Sequence, residues 1–203
     1  MHWTGWGAPF STAPPFHEQK LPTVTAMPAL CLRSMTAADL DLVRAWMTEP
    51  HVAKWYLSGS TVEDEVDELE KCVVGHEPTH ALIVVENGRD VGWAQWYRCA
   101  DYPEHAAAVG AELEDVGFDY AIGDPARTGQ GVGTALIGAL MAHIRQRHPR
   151  AGLVADPEAA NLASRRVLEK NGFVLLRERV VATERTAAPM AVYRLPPSDS
   201  LVA

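Results

Sequence analysis

The stretch from Arg127 to Ile144, RTGQGVGTALIGALMAHI, limits the folds open to this chain more than any other. Gly129, Gly131 and Gly133 stand at alternate positions directly before a helical pattern. In that pattern Val132, Ala135, Leu136, Ala139, Leu140 and Ile144 recur at the spacing of one helix face, which predicts a helix packed on a sheet. The preceding VGFDYAIG reads as a strand, so the unit is strand, glycine turn, helix. Glycines at the turn leave successive N–H groups free to converge on an anion at the positive end of the helix dipole, for which a phosphate or pyrophosphate is the natural guest. A tight turn with no ligand would use the same residues. Two phosphate patterns fail on the residues themselves. A Walker loop needs a lysine that the turn lacks, and a dinucleotide fingerprint would put its third glycine at Leu136 or Thr134.

Around this unit the chain reads as one domain with an arm. Residues 1–29 hold five prolines and no periodic apolar pattern, so a Pro-rich irregular N-terminal arm is expected, with the folded domain at 30–203. LCLRSM from Leu30 reads as a strand. TAADLDLVRAWMTE reads as a helix with Thr36 as N-cap and Asp39 completing a capping box. A second helix starts near Thr61 in TVEDEVDELEKCVV, and its acidic run reads as a solvated face. HALIVVEN and DVGWAQWYRC read as strands joined by a hairpin turn at Asn87-Gly88. After the glycine helix come a strand GLVAD, a helix NLASRRVLEKNG with Gly172 at its C-cap position, and the strands FVLLRERVVA and PMAVYRLP. The expected order is β-α-α-β-β-β-α-β-α-β-β.

Composition narrows the partners. A formal net charge of −8 with no basic patch argues against nucleic acid or an anionic membrane surface and suits a cationic partner. No apolar run approaches the ~20 residues of a membrane span, and the N-terminus lacks the order of a signal peptide, so a cytoplasmic location is expected. Cys31, Cys72 and Cys99 are odd in number and widely spaced, which predicts reduced core thiols. HEPTH, His76 to His80, satisfies HExxH literally, but Pro78 breaks the helix that zinc binding needs, and no metal site is expected. His51 reads as structural or as part of a substrate wall.

A second signal follows the glycine turn by about thirty residues: NLASRRVLEKNGF, Asn161 to Phe173. In this order the two resemble the acetyl-CoA signature of the GNAT acetyltransferase superfamily. The resemblance implies an α/β (α+β) fold with a central mixed, mostly antiparallel sheet and flanking helices, and acetyl-CoA as co-substrate. It implies that Thr128, Gly129, Gln130, Gly131, Val132 and Gly133, with Thr134, Asn161 and Ser164, hold the coenzyme. Tyr120, Ala121 and Ile122 would pair with its pantetheine arm. The chain departs from the pattern twice. Thr128 stands at the usual Gln/Arg position, with Arg127 one place early, and Leu168 stands where the family often has a tyrosine that protonates the leaving thiolate.

Gly92 to Leu136, Asp156 to Phe173, and DLDLVRAWMTEPHVAKWY earlier in the chain are also similar to the aminoglycoside 6′-N-acetyltransferases, a likeness that covers most of residues 30–195. This implies acetyl transfer to the 6′-amine of an aminoglycoside, hence antibiotic resistance, by a monomer or homodimer. It places the catalytic aspartate on Asp119 and matches Trp55, Tyr56, Gln95, Glu104 and Asp156 to substrate-contacting places. Chemistry makes an independent demand. An amine with pKa near 10 is protonated at pH 7, and its neutral nucleophilic form costs ~4 kcal/mol. A carboxylate that attracts the ammonium and then takes its proton meets both needs, and Asp119 is assigned general base, directly or through water. Strand alternation alone would also allow Asp119 to face solvent. Backbone N–H groups near Tyr120 to Ile122 would stabilise the oxyanion. Leu168 cannot protonate the thiolate. With a thiol pKa near 8.5, water or another hydroxyl would suffice, Tyr120 among the candidates. From Cys99 to Ala126 there is no Lys or Arg, while Asp101, Glu104, Glu112, Glu114, Asp115, Asp119 and Asp124 carry acid, a sensible lining for a polycationic aminosugar or simply a solvated acidic loop. Two other functions fit the same residues: a GNAT acting on a protein N-terminus or a lysine-like metabolite amine, and a non-catalytic coenzyme-A-binding sensor, which Leu168 permits.

Overall fold

The computed structural model describes residues 30–180 and 188–197, and the expected arm at 1–29 lies outside the described residues. The sheet grows from the hairpin of β2 (His80–Glu86) and β3 (Arg89–Arg98). Asn87 and Gly88 between them have φ of 49° and 79°, the left-handed pair that matches strand twist in a two-residue turn. β1 (Leu30–Ser34) adds to β2, and β4 (Val116–Ile122) to β3, both antiparallel. β5 (Leu153–Ala155), β6 (Val174–Val180) and β7 (Pro189–Leu195) complete the order β1-β2-β3-β4-β5-β7-β6. Only β4 and β5 run parallel, and they share just two register pairs, Val116 with Leu153 and Gly117 with Val154. Residues 118–122 of β4 therefore continue without β5 beside them, and a wedge opens in the middle of the sheet.

Helices cover both faces. On one, α5 (Val132–Arg145) and α6 (Leu162–Lys170) bury Val132, Leu136, Ile137, Leu140, Ile144 and Leu168 against Leu82, Ala94, Trp96 and Phe118. Each such aliphatic side chain contributes roughly 1.5–3 kcal/mol by leaving water, so the α5 start is firmly held. On the other, α1 (Leu40–Met47), α2 (Pro50–Tyr56) and α3 (Val62–Val73) enclose Ile83, Trp93 and Ala121. Trp93 stacks on Trp46 at 6.1 Å and meets the Tyr56 ring at 5.2 Å, which fixes α2 over the sheet. Asp39 Oδ2 accepts from the Thr36 N–H and hydroxyl, each at 2.8 Å, in the expected capping box.

Four expectations change. Pro50 starts a new helix, α2, in a stretch to which the sequence assigned no element. A further helix, α4 (Pro103–Val109), forms in the acidic stretch and ends at Gly110 with φ 63°. It has two turns and no repeated apolar spacing, so periodicity could not reveal it. On α5 the buried face takes Ile137, while Ala135 and Ala139 are only partly buried. Of the cysteines only Cys99 is a core thiol, with burial pushing its pKa up to about 11; Cys31 is exposed on the edge strand β1, and Cys72 is half-buried.

Candidate active site

Three abutting cavities of about 420, 390 and 760 Å³ run past the wedge. Tyr56 borders all three, Trp55, Tyr120, Asn161 and Ser164 border the first two, and Gln95 and Glu65 border the last two.

The first cavity is built on the glycine turn. Gly129 and Gly131 have φ of 71° and 84°, and a Cβ on either would meet nothing within 4 Å, so the turn faces open space that a guest can enter. Gly133 has a different reason: a Cβ there would lie 3.3 Å from Val167 Cγ2, so it lets α5 close on α6. Ala121, Ile122, Thr128 and Thr134 line the same cavity. Thr128 Oγ1 is already engaged, donating to the Pro125 carbonyl at 2.9 Å. The two remaining residues expected to hold the coenzyme face elsewhere. Val132 buries its side chain in the core, and exposed Gln130 accepts from Arg127 Nη1 at 2.7 Å. Arg127 also donates to buried Glu86 at 2.5 Å, a brace under the turn. Arg166 and Lys170 of α6 border the cavity. Sequence reasoning passed over these two cations; their i,i+4 spacing on the signature helix was the available signal. Open glycine N–H groups, a helix N-terminus and three cations suit a polyanionic guest such as a pyrophosphate-bearing coenzyme. His51 belongs to this wall and not to a substrate wall, with Nε2 2.8 Å from the Ile122 carbonyl oxygen.

The middle cavity holds the expected base. Asp119 lies opposite Gln95 in the β3–β4 register, and Gln95 Nε2 donates to Asp119 Oδ2 at 3.0 Å. Asp119 shares its sheet face with Trp93 and Ala121 and is only partly exposed, so it is not a solvent-facing strand residue. Burial raises its pKa, while the Gln95 hydrogen bond and nearby His105 oppose the rise. Asp156, just past β5, borders the same cavity; burial and then the charge of Asp119 push its pKa up to about 8. Two carboxyl groups thus face one cavity, each held above its ordinary pKa by burial. Leu168 is fully buried in the core and borders none of these cavities. The hydroxyl-bearing residues that border both the first and the middle cavity are Tyr56, Tyr120 and Ser164; the Tyr120 and Ser164 hydroxyls are 3.0 Å apart, and burial holds the Tyr120 phenol at about 12.

The largest cavity lies between α3, β3 and α4. Glu104 borders it as expected, joined by Glu65 and Glu68 of α3 and Glu77 of the following turn. One edge of α3 that read as a solvated face is therefore a cavity wall. The other acids of the 99–126 stretch separate from it. Asp115 is buried and paired with Arg194, Asp124 Oδ1 caps the turn at Ala126 at 2.9 Å, Asp101 sits 3.9 Å from Arg98, and Glu112 and Glu114 are exposed. His76 lies in a bend and His80 on β2 stacks on Trp96, so the HExxH letters share no helical face.

Known proteins resemble this chain in sequence and fold. A protein-family profile described as an acetyltransferase (GNAT) domain matches residues 35–181. The aminoglycoside N(6′)-acetyltransferase type 1 of Klebsiella pneumoniae is 26% identical over 148 residues, 71% of this chain and 74% of that one. The lysine N-acyltransferase MbtK of Mycobacterium tuberculosis is 27% identical over 178 residues, 86% of this chain and 80% of that one. Among solved structures, AAC(6′)-Ib in complex with paromomycin and acetyl-CoA superposes with a TM-score of 0.67 at 25% identity, covering 85% of this chain and 95% of that one. With the split β4–β5 pair, the open glycine turn and a profile spanning most of the described residues, this chain belongs to the GNAT acetyltransferase family.

Proposed function

We propose that the chain transfers acetyl from acetyl-CoA to the 6′-amine of an aminoglycoside, with Asp119 as general base. The observation that carries this reading is the 760 Å³ cavity walled by Glu65, Glu68, Glu77 and Glu104, which shares Tyr56, Glu65 and Gln95 with the cavity that Asp119 and Asp156 border. A monoamine needs one anionic partner, whereas a polycation several ångströms long uses a row of them. In this reading the glycine turn with Arg127, Arg166 and Lys170 holds the coenzyme phosphates, and the open edge of β4 at Tyr120 to Ile122 faces the thioester. The acetyl-CoA supplies an activated carbonyl. Asp119 takes the ammonium proton, Gln95 fixes the carboxylate, backbone N–H groups along 120–122 bind the oxyanion, and the Tyr120–Ser164 pair is the hydroxyl source that replaces the missing tyrosine.

A second reading, acylation of a lysine-like amine, is favoured by the MbtK relative, whose match covers more of this chain. Free-thiol release from acetyl-CoA separates the two. Release with kanamycin and tobramycin but not with a 6′-hydroxyl analogue supports the first; release with lysine-type amines and silence on the drugs replaces it.

A further inference from the structure

Acetylating an ammonium leaves a proton over. R–NH3⁺ and acetyl-CoA become the neutral amide, the thiol and H⁺. The nitrogen gives up two protons as it bonds to the carbonyl carbon. One ends on sulfur, which keeps the electron pair of the broken C–S bond, and the other must reach solvent in every turnover. Asp119, held by Gln95 inside the middle cavity, needs an outlet.

Asp156 lies in the same cavity, and beyond it His105 Nε2 stands 3.9 Å from Asp156 Oδ1. His105 is on the first turn of α4, borders the acceptor cavity, and has a side chain 34% exposed against 12% for Asp156. We propose that His105 is a positioning residue for the transfer: acting through Asp156, it receives the proton leaving the carboxyl pair and passes it to water. The 3.9 Å gap is longer than a hydrogen bond, as acid–base contacts often are before substrate binds. The other ionisable groups facing His105 are Tyr97 on β3, with ring centroids 6.0 Å apart, Tyr102 and Glu104 beside it, Glu65, Glu68, Cys72 and Glu77 around the same cavity, and Asp119 within reach of its charge. Burial raises both phenols above their ordinary value, so neither competes for the proton. Sequence offered no signal for this residue, because α4 itself was not legible.

The inference rests on Asp119 serving as base. Its test compares wild type, His105→Ala and His105→Gln, each with kanamycin A and with L-lysine as acceptor. The expected result for His105→Ala is a kcat about tenfold lower, with an unchanged KM for acetyl-CoA and recovery on adding imidazole, while His105→Gln stays slow. A kcat within twofold of wild type, or a loss that imidazole does not restore, overturns the relay. Turnover of lysine alone overturns the aminoglycoside reading and leaves the comparison intact. If neither amine reacts, an infrared pH titration of the protonated-carboxyl band decides. Removing His105 should change the pH at which the band is lost, and superimposable titrations overturn the proposal.

Discussion

The entry to β4 and its midpoint treat a carboxylate in opposite ways. At the entry Asp115, 1% exposed, receives Arg194 Nε and Nη2 at 2.9 and 2.8 Å, a bidentate pair that meets its charge completely. Four residues on, Asp119 receives only the neutral Gln95 amide and has a second carboxyl group, Asp156, sharing its cavity. Arg194 ties β7 to the root of β4, beneath the point where β5 departs, so the first aspartate closes the sheet. The second sits where the sheet has opened, with its desolvation only partly offset by the Gln95 hydrogen bond. A buried charge with a matched cation is architecture, whereas one held without a cation keeps a raised pKa, the state a base needs when an ammonium is to be both its partner and its proton source.

Substitutions can break this contrast. The largest effect is expected from Arg194→Ala, which strands Asp115 and should cost roughly 3–5 kcal/mol of stability in denaturant unfolding, with kcat at low temperature little changed. If unfolding stayed the same, Asp115 would not be the structural half of the pair. Asp119→Asn should do the reverse, lowering turnover by about 100-fold, or ~2.7 kcal/mol of barrier, while acetyl-CoA affinity and stability hold. Full activity in that variant removes Asp119 from the mechanism.

Asp156→Asn sharpens the comparison through pH. The Asp156 carboxyl titrates at about 8 in the fold and near 3.9 unfolded, so its contribution is fully present below pH ~4 and is lost as pH rises through about 8. The neutral amide escapes that loss. Thermal melts should show the variant gaining on wild type between pH 5 and 9, by on the order of 4 kcal/mol, and a constant difference would deny the raised pKa. The smallest effects belong to the coenzyme end. Gly131→Ala forces a side chain into a left-handed conformation at about 1–2 kcal/mol and should raise the KM for acetyl-CoA. Thr128→Val, which loses only the bond to Pro125, should change that KM less than about twofold.

Much of this molecule was legible in the linear order because it depends on local rules. Alternating glycines, a 3.6-residue apolar face, the Thr36–Asp39 box and the Asn87-Gly88 turn act within a few residues, and each stands where periodicity and backbone sterics put it, save that the α5 face also takes Ile137. Asp119 as a base could be reasoned from the chemistry of an ammonium and from resemblance. The tertiary structure alone decided which acids share a cavity. Asp115 and Asp119 look alike in sequence, and their difference comes from Arg194, which lies 79 positions away from Asp115. Glu65 and Glu68 read as solvated until β3 and α4 closed a cavity around one edge of α3. Leu168 turned out to be core, and the hydroxyl pair at the cavity junction, Tyr120 and Ser164, comes from different elements. Charge neutralisation and cavity walls are made between segments distant in the chain, and no local pattern records which segments will meet.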